Sequence, residues 1–191
     1  MGKLVVTEFL TLDGVMQDPG GSGEFDRGGW AFRFDRGEGD KFKFDELMAS
    51  DAQLLGRVTY EGFAKAWPTM EAGEFGEKMN GMPKFVFSST LENPEWNNTT
   101  VLEGDLVEEV EKLKQQFAGD ILVAGSAQLA QSLLADDLVD ELHLMIYPVV
   151  LGGGKRLFAD GSETTAFDLV ETRQTGSVAI LTLRRPNHTA V

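Results

Sequence analysis

The stretch DILVAGSAQLAQSLL, from Asp120 to Leu134, constrains the fold more than any other part of the chain. Ile121, Leu122, Val123 and Ala124 form a short apolar run, the mark of a strand covered on both faces, and the run stops at Gly125. Ser126 is placed to cap a helix that follows at once, with Leu129, Leu133 and Leu134 as its apolar stripe. A buried strand, a glycine and a helix start together favour an anion, because unpaired amides and the helix dipole point the same way; a nucleotide phosphate suits such a place. The same arrangement also serves as a plain packing turn in α/β proteins, and neither a full dinucleotide fingerprint nor a P-loop is present. On the residues alone both readings stand.

The pattern recurs. Ala52 to Leu55 reads as a buried strand closed by Gly56, after which Arg57 and Thr59 open a helix whose apolar face is Tyr60, Phe63, Ala64 and Trp67. Phe85 to Phe87 is another strand, ending in the hydroxyls of Ser88, Ser89 and Thr90. The chain begins with a strand over Lys3 to Leu12 that stops at Asp13-Gly14, and a glycine-rich connection then runs to about Asp40. Trp30, Phe32 and Phe34 argue that this connection packs onto something.

Helices are expected over Phe42 to Ala49, over the acidic and exposed Glu71 to Gly81, and after Asp105, which with Glu108 makes a capping box ahead of Leu106, Val110, Leu113 and Phe117. Thr99 to Leu102 is a short strand. VDELHLMIYPVV alternates, with Leu142, Leu144 and Ile146 on one face and Glu141, His143, Met145 and Tyr147 on the other. After the turn LGGGKRLF, strands over Ala166 to Gln174 and Val178 to Arg185 form a terminal hairpin around Gly176. The sum is an α/β chain of about eight strands, read as a single domain over residues 1–191.

Charge narrows the partners. A net charge of −14 argues against a nucleic-acid surface or an anionic membrane, both of which need clustered Lys and Arg. The chain has no Cys, hence no thiolate nucleophile and no zinc–cysteine site, and His143 and His188 lack the spacing of a metal pair. MGKLVVTEFL has no long apolar segment with a cleavage site. The expectation is a soluble cytoplasmic protein without a metal.

Taken in order, TLDGVM, LLGRVTYEGF, FVFSST, ILVAGSAQLAQSLL and DELHLMIYPVVLGGGKRLF resemble the dihydrofolate reductase-like fold, and most of all the reductase domain of bacterial riboflavin biosynthesis. The resemblance spans essentially the whole chain. It implies a three-layer fold with a mixed, mostly parallel sheet, NADPH across the carboxyl ends of the strands, and a homodimer. It also implies roles. Gly56, Arg57 and Thr59 match the segment at the cofactor's phosphates, Ser88 and Ser89 the one beside the adenosine ribose, and Gly125, Ser126, Ala127, Gln128 and Leu129 the pyrophosphate loop. Gly14 and Val15 match the start of the loop over the nicotinamide. Dihydrofolate reductases carry Gly-Gly where this chain has Gly125-Ser126, and their substrate carboxylate has no single counterpart among Asp40, Asp45 and Glu46.

Asp13 ends the first strand, either as a turn residue or as a proton source for the reaction. Trp30, Tyr60, Trp67 and Tyr147 are candidates to stack on a planar heterocycle, and equally candidates for the core. Lys155 and Arg156 could hold a phosphate or solvate their loop. Two functions follow: an NADPH-dependent reductase of a small pyrimidine- or pteridine-like substrate, or a non-catalytic nucleotide-binding module that kept the cleft. The hairpin and the VDELHLMIYPVV strand are the expected dimer contact.

Overall fold

A computed structural model describes residues 1–23 and 25–186; His188 lies outside the described residues. The strands are β1 (Leu4–Thr11), β2 (Ser50–Gly56), β3 (Lys84–Phe87), β4 (Thr99–Leu102), β5 (Asp120–Ala124), β6 (Glu141–Tyr147), β7 (Asp168–Thr175) and β8 (Val178–Arg184). The helices are α1 (Gly39–Ala49), α2 (Arg57–Ala66), α3 (Gly73–Gly81), α4 (Leu106–Gln116) and α5 (Ala127–Ala135). The strands form one sheet in the order β4-β3-β2-β5-β1-β6-β8-β7. Every pairing from β4 to β6 is parallel, and the hairpin joins through an antiparallel β6–β8 pair. This is the mostly parallel dihydrofolate reductase-like sheet with its C-terminal hairpin.

Period-two alternation divides the core between the two faces of the sheet. Leu4, Val6 and Leu10 of β1, with Leu142 and Leu144 of β6, pack against Val110 and Leu113 of α4 and Leu129 and Leu133 of α5. On the opposite face Val5, Leu55, Val86 and Leu122 meet Leu47 of α1, Tyr60 of α2 and Met79 of α3. Asp105 caps α4, its carboxylate accepting from the Glu108 amide at 3.1 Å.

Several expectations need correcting. Helix α1 starts three residues before Phe42, because Gly39 is pressed against Met145, where a Cβ would lie 2.7 Å from its terminal methyl, and Thr175 accepts the Glu38 amide through its hydroxyl. Pro68 ends α2 in a single 3-10 turn over Trp67–Thr69. Helix α3 is not wholly exposed, since Met79 is buried and Phe75 packs against the same cluster. Lys84, at the head of β3, is fully buried. Its ammonium donates to the carbonyls of Asn80, Met82 and Asn97 at 3.0, 2.8 and 3.0 Å and lies 4.4 Å from the centre of the Trp96 ring.

Strand β6 is covered on both sides. Its Met145 and Tyr147 face lies under Trp30, Ala31, Phe34 and Phe42, so both faces of the strand are packed within the chain itself. That cover comes from the long connection after β1, whose Trp30 is fully buried. The hairpin turn docks on the same connection: a Cβ at Gly176 would lie 2.5 Å from the Asp35 carbonyl, and the Ser177 amide donates to that oxygen at 2.8 Å. None of the described helices is long and apolar enough to cross a membrane.

Candidate active site

Strand β5 leaves the sheet early. Its last partner on β1 is Thr7, opposite Ala124, whereas β1 and β6 stay paired as far as Thr11 and Tyr147. Residues 8–11 therefore border a notch at the carboxyl end of the sheet, beside the strand from which the order runs both ways, the place where open α/β sheets bind ligands.

The floor of the notch is the turn into α5. Gly125 and Ser126 both have left-handed backbones, with φ of 61° and 58°. The second is uncommon for a residue with a Cβ. Ser126 does not cap α5 with its side chain, contrary to expectation. Its hydroxyl instead accepts from the Gly56 amide at 2.8 Å, and its own amide donates to the Thr59 hydroxyl at 2.8 Å. These two bonds fasten the start of α2 to the start of α5. A Cβ on Gly125 would lie 2.9 Å from the Thr59 hydroxyl oxygen, so the close approach this glycine permits is that of Thr59.

The amide of Ala130 is bonded to the Ser126 carbonyl. The amides of Ala127, Gln128 and Leu129 precede it in the first turn, where a helix offers its own N–H groups no acceptor. Helix α2 also begins without a side-chain cap, at an extended Gly56. Arg57 stands at that start, half exposed, in an i,i+4 pair with Glu61 at 2.9 Å. Ser88 follows β3, whose Phe87 is paired with Gly56. Its hydroxyl accepts from the amides of Thr90 and Leu91, both at 3.1 Å, and closes a turn; Ser89 is exposed. Two uncapped helix starts, one cation and a row of hydroxyls are groups that can donate to phosphate oxygens.

Asp13 is held at both oxygens of its carboxylate. One carboxylate oxygen accepts from the Thr11 hydroxyl at 2.6 Å and the Leu151 amide at 3.2 Å, and the other accepts from the Gly152 amide at 2.8 Å. The Thr11 hydrogen bond first, and then the two amides, hold its carboxyl down at about 2, so it is a carboxylate at neutral pH. It ties the end of β1 to the glycine-rich turn. Arg156 belongs to the same joint, donating to the Asp13 carbonyl at 3.0 Å, while Lys155 is exposed. Gly14 turns there with φ of 76°, and Val15 is buried and bridged to Arg156.

The aromatic candidates are mostly core. Trp30 and Tyr147 are fully buried, packed edge to face with centroids 5.3 Å apart, and offer no ring face to a substrate. Burial pushes the Tyr147 phenol up to about 12, against the nearby Arg36 guanidinium, which pulls it down. Tyr60 is nearly buried and accepts the Trp96 amide at 3.1 Å. Trp67 is half buried beside Phe63 and Phe75. An open groove between α2 and residues 91–97 has Tyr60 in its wall.

Two groups had no role assigned from the sequence: Glu46, one of the three carboxylates left open there, and Glu8. Glu46 of α1 lies over β1 and β6, accepting from the Thr7 hydroxyl at 2.8 Å, sharing a hydrogen bond of 2.7 Å with His143 and pairing with Lys43. Burial alone would raise its carboxyl, but Lys43 and His143 hold it below the usual range. The other group is Glu8, a carboxylate inside the apolar run of β1, buried, with Oε1 lacking any partner. A charge in the middle of an apolar strand was the available signal. Among the described residues no cluster of His, Asp and Glu could hold a metal ion.

Residues 2–181 match the model of the RibD C-terminal domain. An uncharacterized protein of Bacillus subtilis, YyaP, is 32% identical over 175 residues, covering 90% of this chain and 88% of its own length. A putative riboflavin biosynthesis protein of Shewanella sp. PV-4 superposes with a TM-score of 0.77 at 21% identity, over 97% of this chain and 99% of that one. The diaminohydroxyphosphoribosylaminopyrimidine deaminase/5-amino-6-(5-phosphoribosylamino)uracil reductase of Thermotoga maritima superposes with a TM-score of 0.65 at 18% identity, and this chain corresponds to 57% of it.

Proposed function

The chain belongs to the RibD C-terminal domain family, and from that premise we propose that it is an NADPH-dependent reductase acting on a small pyrimidine- or pteridine-like substrate. The observation that carries the reading is the fastening of two uncapped helix starts by Thr59, Ser126 and Gly56. The residues present fit the cofactor. The amides of Ala127, Gln128 and Leu129 receive the diphosphate, Arg57 the 2′-phosphate, and Ser88 and Ser89 the adenosine side.

NADPH bound there supplies a hydride, the hard part of the chemistry. The protein orients the reacting partners and excludes water with the connection held down by Trp30. The name of the Thermotoga protein, a uracil-type reductase, supports the substrate class. Substrate-dependent loss of NADPH absorbance, screened over dihydrofolate, pterins and ribosylaminopyrimidines, tests the reading.

A homodimer goes with it. With β6 covered, the surface that needs a partner is the edge strand β7, where seven of eight residues are exposed, Leu169 and Val170 among them. Light scattering at micromolar concentration is expected to give about twice the 20.9 kDa of one chain, and a mass near 20.9 kDa refutes the dimer.

A further inference from the structure

Glu8 takes no part in the cofactor contacts proposed for the site. It follows Thr7, the last residue of β1 paired with β5, and so stands where the notch opens. Its neighbour Thr7 points to the other face and bonds Glu46. Both carboxylates are buried, yet Glu46 has three partners while Oε1 of Glu8 has none. A Val or Leu would fill this strand position without a polar atom to satisfy; the Glu8 carboxyl instead has the Gly125 amide as a donor and none at Oε1, and a buried oxygen without a donor calls for one.

We infer that Glu8 is a recognition residue of the notch, its carboxyl pairing through two hydrogen bonds with an amide edge, an H–N–C=O unit, of the bound molecule; this rests on the reductase reading above. A neutral carboxylic acid offers one donor and one acceptor side by side, which is the complement of an amide edge. Two ligands of the proposed reaction carry that unit: the carboxamide of the nicotinamide ring and the ring lactam of a uracil or pterin.

The surroundings favour the neutral form. Burial pushes the Glu8 carboxyl well above the ordinary carboxylate range, and Glu46 of α1 pushes it the same way. Lys43 of α1 and the Gly125 amide at the end of β5 pull it down. His143 of β6 completes the set of titratable groups, through its bond to Glu46.

The test is a binding titration of wild-type protein, Glu8→Gln and Glu8→Leu with three probes: NADP+, 2′-phospho-ADP-ribose, which lacks the nicotinamide ring, and a ribosylaminouracil. Glu8→Leu is expected to weaken at least one amide-bearing probe tenfold or more and to leave 2′-phospho-ADP-ribose within twofold. Which probe is lost tells carboxamide from lactam. Glu8→Gln, which keeps a donor and an acceptor, is expected to stay within about threefold of wild type. Wild-type affinity for the affected probe should fall as pH rises through the Glu8 titration, while that of Glu8→Gln stays flat; these two readouts stand even if Glu8→Leu does not fold. Unchanged affinities in Glu8→Leu, equal loss of all three probes, or a flat wild-type profile overturns the inference and leaves the reductase reading intact. Wild-type protein that binds none of the probes overturns both.

Discussion

Replacing Trp30 with Ala is expected to lower the unfolding free energy by about 3–5 kcal/mol, the range for deleting a buried aromatic ring. The indole is fully buried, meets Tyr147 edge on, and donates from Nε1 to the Gln17 carbonyl at 2.9 Å. Its loss removes apolar contacts, leaves a cavity over Met145 and Tyr147 and orphans a carbonyl. Trp30 also holds down the connection that covers β6, so its removal should open that connection to protease before the rest of the chain. Trp30→Phe, which keeps a ring, should cost clearly less. Urea unfolding followed by circular dichroism measures the effect. A loss below about 1 kcal/mol together with failure to bind substrate would return Trp30 to the role of a substrate platform.

Arg57→Ala separates cofactor binding from stability. The Arg57–Glu61 pair is half exposed, and pairs of that kind contribute about 0–1 kcal/mol, so the variant should unfold almost as wild type does. A 2′-phosphate held by the guanidinium is a charge-assisted contact worth about 1.5–3 kcal/mol. NADPH should therefore weaken by about 10- to 150-fold while NADH hardly changes. Titration of both cofactors against both proteins gives the four numbers needed. Equal losses for NADPH and NADH would remove Arg57 from the 2′-phosphate, and no loss at all would take it out of the site.

What was legible in the sequence follows the physics of each element. Buried parallel strands announce themselves as apolar runs, so β2, β3 and β5 were readable to within a residue or two, and α4 could be read from Asp105 and its apolar period. The start of α1 was not, because contacts with Met145 and Thr175, distant in sequence, decide it. Nothing in the sequence around Lys84 marks it as buried; only the fold brings three carbonyls and the Trp96 ring around it.

At the site, the glycines and hydroxyls at the ends of β2, β3 and β5 were visible in order, and the structure brings Gly56, Thr59 and Ser126 into direct contact. Which group does what was not visible. Ser126 reads as a cap and is instead a clamp between two helices, because its left-handed backbone turns the hydroxyl toward Gly56. Asp13 reads as a possible acid, and two amides from the glycine-rich turn far along the chain make it a fixed carboxylate. Glu8 looks like an interruption in an apolar strand until the early departure of β5 exposes a notch beside it.

The measurement that bears most directly on the central claim is the absorbance of NADPH in the presence of protein and each candidate substrate. Substrate-dependent loss of the reduced cofactor is expected with at least one ribosylaminopyrimidine, pterin or dihydrofolate, with weaker turnover when NADH takes its place. NADPH that binds but is never consumed would favour a nucleotide-binding module without turnover. NADPH that neither binds nor is oxidised would contradict the claim outright, because the joined starts of α2 and α5 would then hold no cofactor.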